Sequence, residues 1–141
     1  MPLNDVALVT GASTGIGRAT VRALTKKGYR VFATARREES VRELQLEGRD
    51  AGFEAIILDV EQDDSVDHAV RHVLAEAGSI DVLVNNAGFG VLAPVEAVTP
   101  EVLRQQFETN VIGAHRMVRA VLPSMRARGR GTIVQLSSVV G

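Results

Sequence analysis

The chain has 141 residues, of which 45% are hydrophobic and 23% are charged, and its formal net charge is -1. This length and composition predict one globular domain with a core of ordinary size. The small net charge gives no reason to expect nucleic acid or an anionic membrane as a partner. Because the sequence has no cysteine, disulfides and thiolate metal sites are excluded.

Hydrophobic segments are short throughout the sequence. None approaches the ~20 apolar residues that span a bilayer, so we expect no membrane partner. The apolar run that follows Asp5 is too short for the core of a signal peptide. We therefore expect a cytoplasmic protein.

Short apolar runs alternate with longer helical patterns along the whole chain, which is typical of βαβ units and a parallel sheet. In chain order, the predicted strands are Val6–Val9, Arg30–Ala35, Ala55–Leu58, Val82–Val84 and Thr132–Leu136. The predicted helices are Gly15–Lys27, Glu38–Leu46, Asp63–Ala77 and a long segment from Thr99-Pro100 towards Arg128, with a kink near Pro123. The pattern predicts one dinucleotide-binding domain over residues 1–141. Its fold class is α/β, a Rossmann-type doubly wound parallel sheet truncated after the fifth strand, with ligands at the carboxyl ends of the strands.

A glycine-rich turn joins the first strand to the first helix, with the sequence Thr10-Gly11-Ala12-Ser13-Thr14-Gly15-Ile16-Gly17. Gly11 permits a tight turn, Gly15 lets the backbone approach a pyrophosphate, and Gly17 allows the helix to pack closely on the strand. Free N–H groups at the helix start would bind the phosphates. The spacing is one residue longer than the common dinucleotide fingerprint, so a turn that needs glycine for steric reasons alone stays open.

The end of the second strand indicates which dinucleotide would bind. An acidic residue there accepts hydrogen bonds from the ribose 2′-hydroxyl of NAD, but this strand ends in Arg36-Arg37. A guanidinium pairs with a 2′-phosphate, and Ser13 could donate a hydroxyl to the same group. The sequence therefore favours NADP(H) over NAD(H). Two arginines that only solvate a loop are the alternative.

Further motifs follow in chain order, namely Asp59-Val60, Asn85-Asn86-Ala87-Gly88, Asn110 and Ser137-Ser138. With the glycine-rich turn, they resemble the short-chain dehydrogenase/reductase family in order and spacing over the whole chain. The resemblance implies that Asp59 and Val60 contact the adenine. The side chains of Asn85 and Asn86 can tie neighbouring strands together, while Ala87 and Gly88 leave room for the ribose. Satisfying backbone groups alone is the other interpretation of this turn.

The resemblance also implies two residues with catalytic roles. Asn110 would hold a water in a proton relay, although an asparagine that kinks its helix or is satisfied by protein partners is the alternative. Ser138, which precedes Val139-Val140-Gly141 as the family serine precedes an apolar pair and a glycine, would hydrogen-bond the substrate oxygen. Ser137 remains the other candidate for this hydroxyl.

In the family, a tyrosine and a lysine follow the serine as general acid/base and its partner. This sequence ends before that pair; its only tyrosine is Tyr29 and its only lysines are Lys26 and Lys27, which the topology places at the opposite end of the sheet. We therefore expect a fragment that is inactive alone. An unpaired edge at the fifth strand also predicts that the fragment either self-associates, so that a homo-oligomer is expected, or is poorly soluble.

The leading interpretation is an NADP(H)-dependent oxidoreductase acting on a small-molecule alcohol or ketone. The apolar stretch Phe89–Val95 suggests that this substrate is hydrophobic. A non-catalytic nucleotide-binding or regulatory module is the main alternative, and another Rossmann enzyme such as a methyltransferase is a third. His68 and His72 have a spacing that could clamp a metal, but their charged neighbours favour a solvated helix face, and we expect no metal site.

Overall fold

A computed structural model describes residues 4–139 and forms a five-stranded parallel sheet in the order β3-β2-β1-β4-β5. The strands are β1 Val6–Val9, β2 Arg30–Ala35, β3 Glu54–Ile57, β4 Val82–Asn85 and β5 Thr132–Gln135. The helices are α1 Gly15–Lys26, α2 Glu38–Ala51, α3 Asp63–Ala77, α4 Pro100–Phe107 and α5 Ala114–Arg128. A short 3₁₀ turn covers Val95–Ala97, and a π-helical segment, Glu108–Gly113, joins α4 to α5. The predicted doubly wound parallel fold is confirmed.

Two hydrophobic cores lie on opposite faces of the sheet, because successive side chains of a strand point to opposite faces. In β1, Val6 and Leu8 belong to the core covered by α3 and α5. Ala7 and Val9 belong to the core covered by α1 and α2. All four residues are buried. The strand that carries the glycine-rich turn is therefore held from both sides.

Helix α2 is longer than the sequence suggested, because it continues to Ala51 instead of ending near Leu46. Gly48, a weak helix former, lies within it and is buried. A side chain at this position would collide with the carbonyl of Phe53, so glycine here serves a close approach between the helix and the start of β3. Gly52, whose φ is 88°, caps the carboxyl end of the helix after Ala51.

The long carboxyl-terminal helix is interrupted, which the sequence did not predict. The turn at Glu108–Gly113 is π-helical, and Gly113 within it packs against Val60, whose Cγ2 would lie 2.7 Å from an added Cβ. Leu103 and Phe107, both in α4, are 48% and 55% exposed. The buried face of this region lies further along, in α5.

The edge position of β5 is confirmed, since it pairs with β4 alone among the strands and all its residues are exposed. Val140 and Gly141, which complete the pattern after Ser138, lie outside the described residues. Within the described ranges, no helix has the length and apolar character needed to cross a membrane.

Candidate active site

A cleft of about 850 Å³ opens at the carboxyl ends of the strands, next to β1 and β4, where the strand order reverses. Most of the residues predicted to bind a cofactor line it together. They are Gly11, Ser13, Thr14, Gly15, Ile16, Arg36, Asp59, Val60, Asn86, Ala87 and Gly88. Segments that are far apart in the sequence therefore meet at one concave site, as the parallel topology requires.

The glycines of the turn differ in what surrounds them. Gly11 has φ 61°, and a Cβ there would lie 2.8 Å from the Cα of Ala87. Gly15 has φ 56°, and a Cβ there would meet nothing within 4 Å. Gly17 is buried beneath the turn, where a Cβ would overlap the Asn86 side chain and the Gly11 carbonyl. Gly17 is thus a packing residue and is absent from the cleft lining.

Thr10 fixes the two turns at the bottom of the cleft relative to one another. Its hydroxyl oxygen accepts hydrogen bonds from the N–H groups of Asn86 at 3.0 Å and Ala87 at 2.9 Å. In return, Nδ2 of Asn86 donates to the carbonyls of Thr10 at 3.1 Å and Gly11 at 2.9 Å. The turns after β1 and β4 therefore form one unit. The sequence contained Thr10 within its motif but gave no signal for this anchoring role.

Asn85 ties the end of β4 to its other neighbours. Its Nδ2 donates to the carbonyl of Ala114 at 3.3 Å and to Oε1 of Gln135 in β5 at 3.1 Å. The prediction that the two asparagine side chains tie neighbouring strands together is confirmed.

The two arginines after β2 are placed differently. Arg36 is exposed and lines the same cleft as Ser13. Arg37 is also exposed, but it occupies the N-cap position of α2 and does not contribute to the cleft lining. Of the two guanidinium groups, that of Arg36 is therefore the better placed for an anionic ligand.

Asp59 is held in place by its own turn. Its Oδ1 accepts a hydrogen bond from the N–H of Glu61 at 3.0 Å, while its N–H donates to Oγ of Ser65 at 2.9 Å. These contacts anchor the loop after β3 and leave Asp59 and Val60 in the cleft wall.

Asn110 lies in the π-helical segment and is half-buried. Its Oδ1 accepts from the N–H of Phe89 at 3.0 Å and its Nδ2 donates to the carbonyl of Phe89 at 2.7 Å. Both polar atoms of the amide therefore hold the chain that follows Gly88. This contact is the one expected of an asparagine satisfied by protein partners, and it fixes Phe89, which lines the cleft.

The predicted catalytic serine, Ser138, follows β5 and comes two residues after Leu136. Leu136 lines the cleft, and its N–H donates to the carbonyl of Asn85 at 3.1 Å. Ser137 and Ser138 follow it on exposed chain, and neither is among the lining residues of the described structure.

A polar cluster that the sequence did not reveal closes one side of the cleft. Nε2 of Gln105 donates to both carboxylate oxygens of Glu61, at 2.8 and 2.9 Å, and the Thr109 hydroxyl donates to the same carboxylate. All three residues line the cleft. Each looks like an ordinary surface residue in the sequence, so no local signal could have identified the cluster.

Tyr29 lies between α1 and β2, immediately before the first residue of β2, Arg30. It is therefore at the amino end of the sheet, as predicted, and the cleft is at the carboxyl end. Lys26 and Lys27, at the end of α1, share that position. None of the three can contact a ligand in the cleft.

His68 and His72 line a separate groove beside β3. Across the described part of the chain, no group of three or more His, Cys, Asp or Glu side chains is arranged to hold a metal ion.

Comparison with known proteins agrees with this geometry. The family model described as short chain dehydrogenase matches residues 5–141. The chain belongs to this family. It is 36% identical over 138 residues to a 3-ketodihydrosphingosine reductase of Bacteroides thetaiotaomicron, covering 97% of this chain and 48% of that protein. The chain thus spans about half the length of the curated relatives that it matches.

Solved structures of the family superpose closely on the chain. A short-chain dehydrogenase from Streptomyces avermitilis is 45% identical with a TM-score of 0.88, covering 96% of this chain and 49% of that one. A metagenomic short-chain oxidoreductase in complex with NADP is 38% identical with a TM-score of 0.86, covering 96% of this chain and 62% of that one. The family and the Rossmann-type fold predicted from the sequence are confirmed.

Proposed function

We propose that the cleft binds NADP(H) in preference to NAD(H), and that the protein of which these residues form part interconverts an alcohol and a carbonyl compound. The observation that carries the cofactor proposal is the position of Arg36. It stands at the carboxyl end of β2, where an NAD-binding site has an acidic residue, and it lines the same cleft as Ser13. The NADP complex of the metagenomic relative supports the same choice.

The cleft fits a dinucleotide in shape and in chemistry. The open space at Gly15 leaves room for a pyrophosphate against the start of α1, where N–H groups and the helix dipole favour negative charge. Arg36 and Ser13 would hold the 2′-phosphate, with Arg37 adding positive charge nearby. A nicotinamide cofactor held by these residues would supply or accept the hydride. The remaining contacts would come from two places: Asp59 and Val60 at the adenine, and Asn86, Ala87 and Gly88 at the ribose.

The proposed substrate site lies at the other end of the cleft, beside Phe89. Ser138 would hydrogen-bond the substrate oxygen and stabilise the charge that develops on it. Asn110 would position this end of the cleft through its two hydrogen bonds to Phe89. Phe89 and Val91 are 41% and 39% exposed, which supports a hydrophobic carbonyl substrate. The name of the Bacteroides relative, a ketone reductase, agrees with this class of reaction.

Replacement of Arg36 by aspartate tests the cofactor proposal. We expect the ratio of NADPH to NADH affinity to fall by about a hundredfold, because a guanidinium–phosphate pair is lost and a carboxylate now repels the phosphate while it accepts from the ribose of NADH. Titration calorimetry with both nucleotides measures the ratio. Arg37→Asp, outside the cleft lining, is the matched control and should shift it far less. An unchanged ratio in Arg36→Asp would refute the assignment.

We further propose that these 141 residues bind nucleotide but do not complete the reaction alone, because their one tyrosine lies at the far end of the sheet. Oxidation or reduction of NADP(H) by pure 141-residue protein with a panel of ketones and alcohols should stay at the background rate. Measurable turnover would contradict this. A longer protein that carries the family's Tyr-x-x-x-Lys should be active. If it also lacks activity, the non-catalytic nucleotide-binding module is favoured.

The exposed edge of β5 supports self-association of the 141-residue chain.

A further inference from the structure

A cluster of three charged side chains joins α1 to α2 beside the cleft. Arg18 donates through Nε to Oε2 of Glu47 at 2.8 Å, and its Nη2 lies 2.6 Å from the same oxygen. Arg22 donates through Nε to Oε1 at 2.5 Å. The side chain of Glu47 is 19% exposed and that of Arg18 is 28% exposed. The hydrogen bond from Arg22, with the contacts from Arg18, holds the pKa of Glu47 below its ordinary value although desolvation opposes the shift.

Arg18 has a second contact, which reaches the glycine-rich turn. Its Nη1 donates to the backbone carbonyl of Ser13 at 3.2 Å. Ser13 stands between Gly11 and Gly15, both of which have positive φ, so the backbone on either side of it is intrinsically permissive. The bond from Arg18 therefore adds a restraint at Ser13 to the one that the N–H of Ala12 provides by donating to the carbonyl of Thr34 at 2.8 Å. Glu47 orients the guanidinium that makes this bond.

The same carboxylate lies on the helix that follows the other half of the proposed phosphate site. Glu47 belongs to α2, which begins at Glu38, directly after Arg36 and Arg37. The path from Ser13 through Arg18 and Glu47 to α2 thus links the hydroxyl and the guanidinium that would hold the 2′-phosphate. Both ends line one cleft.

We infer that Arg18 and Glu47 are positioning residues that set the preference of this cleft for NADP(H) over NAD(H), an inference that rests on the proposed function. The 2′-phosphate is the part of the cofactor that needs Ser13 and Arg36 at a fixed separation. NAD(H) lacks that phosphate, so displacement of Ser13 weakens NADP(H) binding more than NAD(H) binding. A role in stability alone would weaken the binding of both nucleotides equally.

The test compares the affinities of the 141-residue chain for NADPH and NADH after single substitutions. For Glu47→Ala and Arg18→Ala, we expect the Kd for NADPH to rise roughly three- to tenfold, which corresponds to the net contribution of one ordinary hydrogen bond, and the Kd for NADH to change less than about twofold. Arg22→Ala is the matched control, since Arg22 donates to the same carboxylate, whereas the hydrogen bond to the turn comes from Arg18. It should leave the ratio of the two affinities unchanged.

Arg18→Lys separates geometry from charge. Lysine keeps the positive charge, but its single nitrogen cannot reproduce the fork that spans Glu47 and Ser13. It should behave like Arg18→Ala; wild-type selectivity in this variant would overturn the positioning role. Equal weakening of both nucleotides in Glu47→Ala would also overturn it. If Arg36→Asp changes the preference while Arg18 and Glu47 variants do not, this inference fails alone. If the unmodified chain binds neither nucleotide, the proposed function has failed.

Discussion

Replacing Asp81 by asparagine is expected to lower the free energy of unfolding by about 3 kcal/mol, because it breaks a buried charge network at the amino ends of the strands. Asp81 is 6% exposed. Its Oδ2 accepts from the N–H of Val6 at 2.8 Å, and its Oδ1 accepts from Nη1 of Arg128 and Nη2 of Arg130, both at 2.8 Å. One carboxylate thus holds together β1, β4 and the connection between α5 and β5.

The expected loss is large because the guanidinium of Arg128 is mostly buried and cannot readily replace the carboxylate with water. Arg128 has a side chain 28% exposed, and its Nε is buried without a partner among the described residues, so loss of the carboxylate leaves a poorly compensated charge. At position 81, asparagine retains one acceptor oxygen, but its NH₂ group would face one of the N–H donors that the carboxylate accepts from. Arg130 is 53% exposed and also pairs with Asp5, so its share of the loss is small.

The same contacts predict how stability depends on pH. Burial alone would raise the pKa of Asp81, but the N–H of Val6 and the guanidiniums of Arg130 and Arg128 outweigh it and hold the pKa well below its ordinary value. A carboxyl whose pKa is lowered on folding contributes stability above its unfolded pKa of about 3.9. This contribution is lost as the pH falls from there through the folded pKa. Asp81→Asn should therefore flatten the loss of stability in acid.

Urea unfolding of the wild type and the variant at neutral pH and near pH 3 measures both effects. Asp67→Asn is the matched control, because Asp67 forms an exposed ion pair with Arg71 at 3.9 Å and should change stability by less than about 0.5 kcal/mol. If Asp81→Asn and Asp67→Asn have equal stabilities at neutral pH, the network is not important for folding.

The strands β1, β2 and β4 could be predicted from sequence because most of their residues are buried, so that each reads as a largely apolar run. Each predicted strand agrees with the structure to within one residue at either end. β1, for example, is an uninterrupted apolar run whose four residues are all buried. The glycine-rich turn was also predictable, since it is a local motif between a strand and a helix.

What the sequence could not predict depends on contacts between distant segments. In the π-helical turn of Glu108–Gly113, Gly113 packs against Val60 and Asn110 hydrogen-bonds to Phe89. Neither contact can be predicted from helical periodicity. Charged or polar pairs separated by many residues are equally hidden. Arg18 and Glu47 form one such pair. In the sequence, each looks like an ordinary charged residue on a solvated helix surface.

Alanine substitutions at Gly15 and Gly17 are expected to have opposite consequences, although the two glycines belong to the same motif. Gly15→Ala should cost about 1 kcal/mol of stability, because its φ of 56° disfavours a side chain while the surrounding space is open. It should nevertheless weaken NADPH binding more than about tenfold, since the new methyl group occupies the space proposed for the pyrophosphate.

Gly17→Ala should instead destabilise the fold by about 3 kcal/mol, at the upper end of the cost of overpacking. Its Cβ would overlap Nδ2 of Asn86 and the carbonyl of Gly11. Those two atoms are already bonded to each other at 2.9 Å, so neither can retreat without separating the turns after β1 and β4. The gain of roughly 0.5–1 kcal/mol from replacing a glycine within a helix is too small to offset this.

Gly78→Ala is the control for backbone strain. Gly78 has φ 79° with nothing within 4 Å of a Cβ, and it ends α3 outside the cleft, so its variant should share the strain of Gly15→Ala without the binding defect. Thermal unfolding and NADPH titration of the three variants distinguish the roles. Normal NADPH affinity in Gly15→Ala would show that the pyrophosphate does not bind at the start of α1. A Gly17→Ala protein as stable as Gly78→Ala would show that the turns after β1 and β4 can move apart without destabilising the fold.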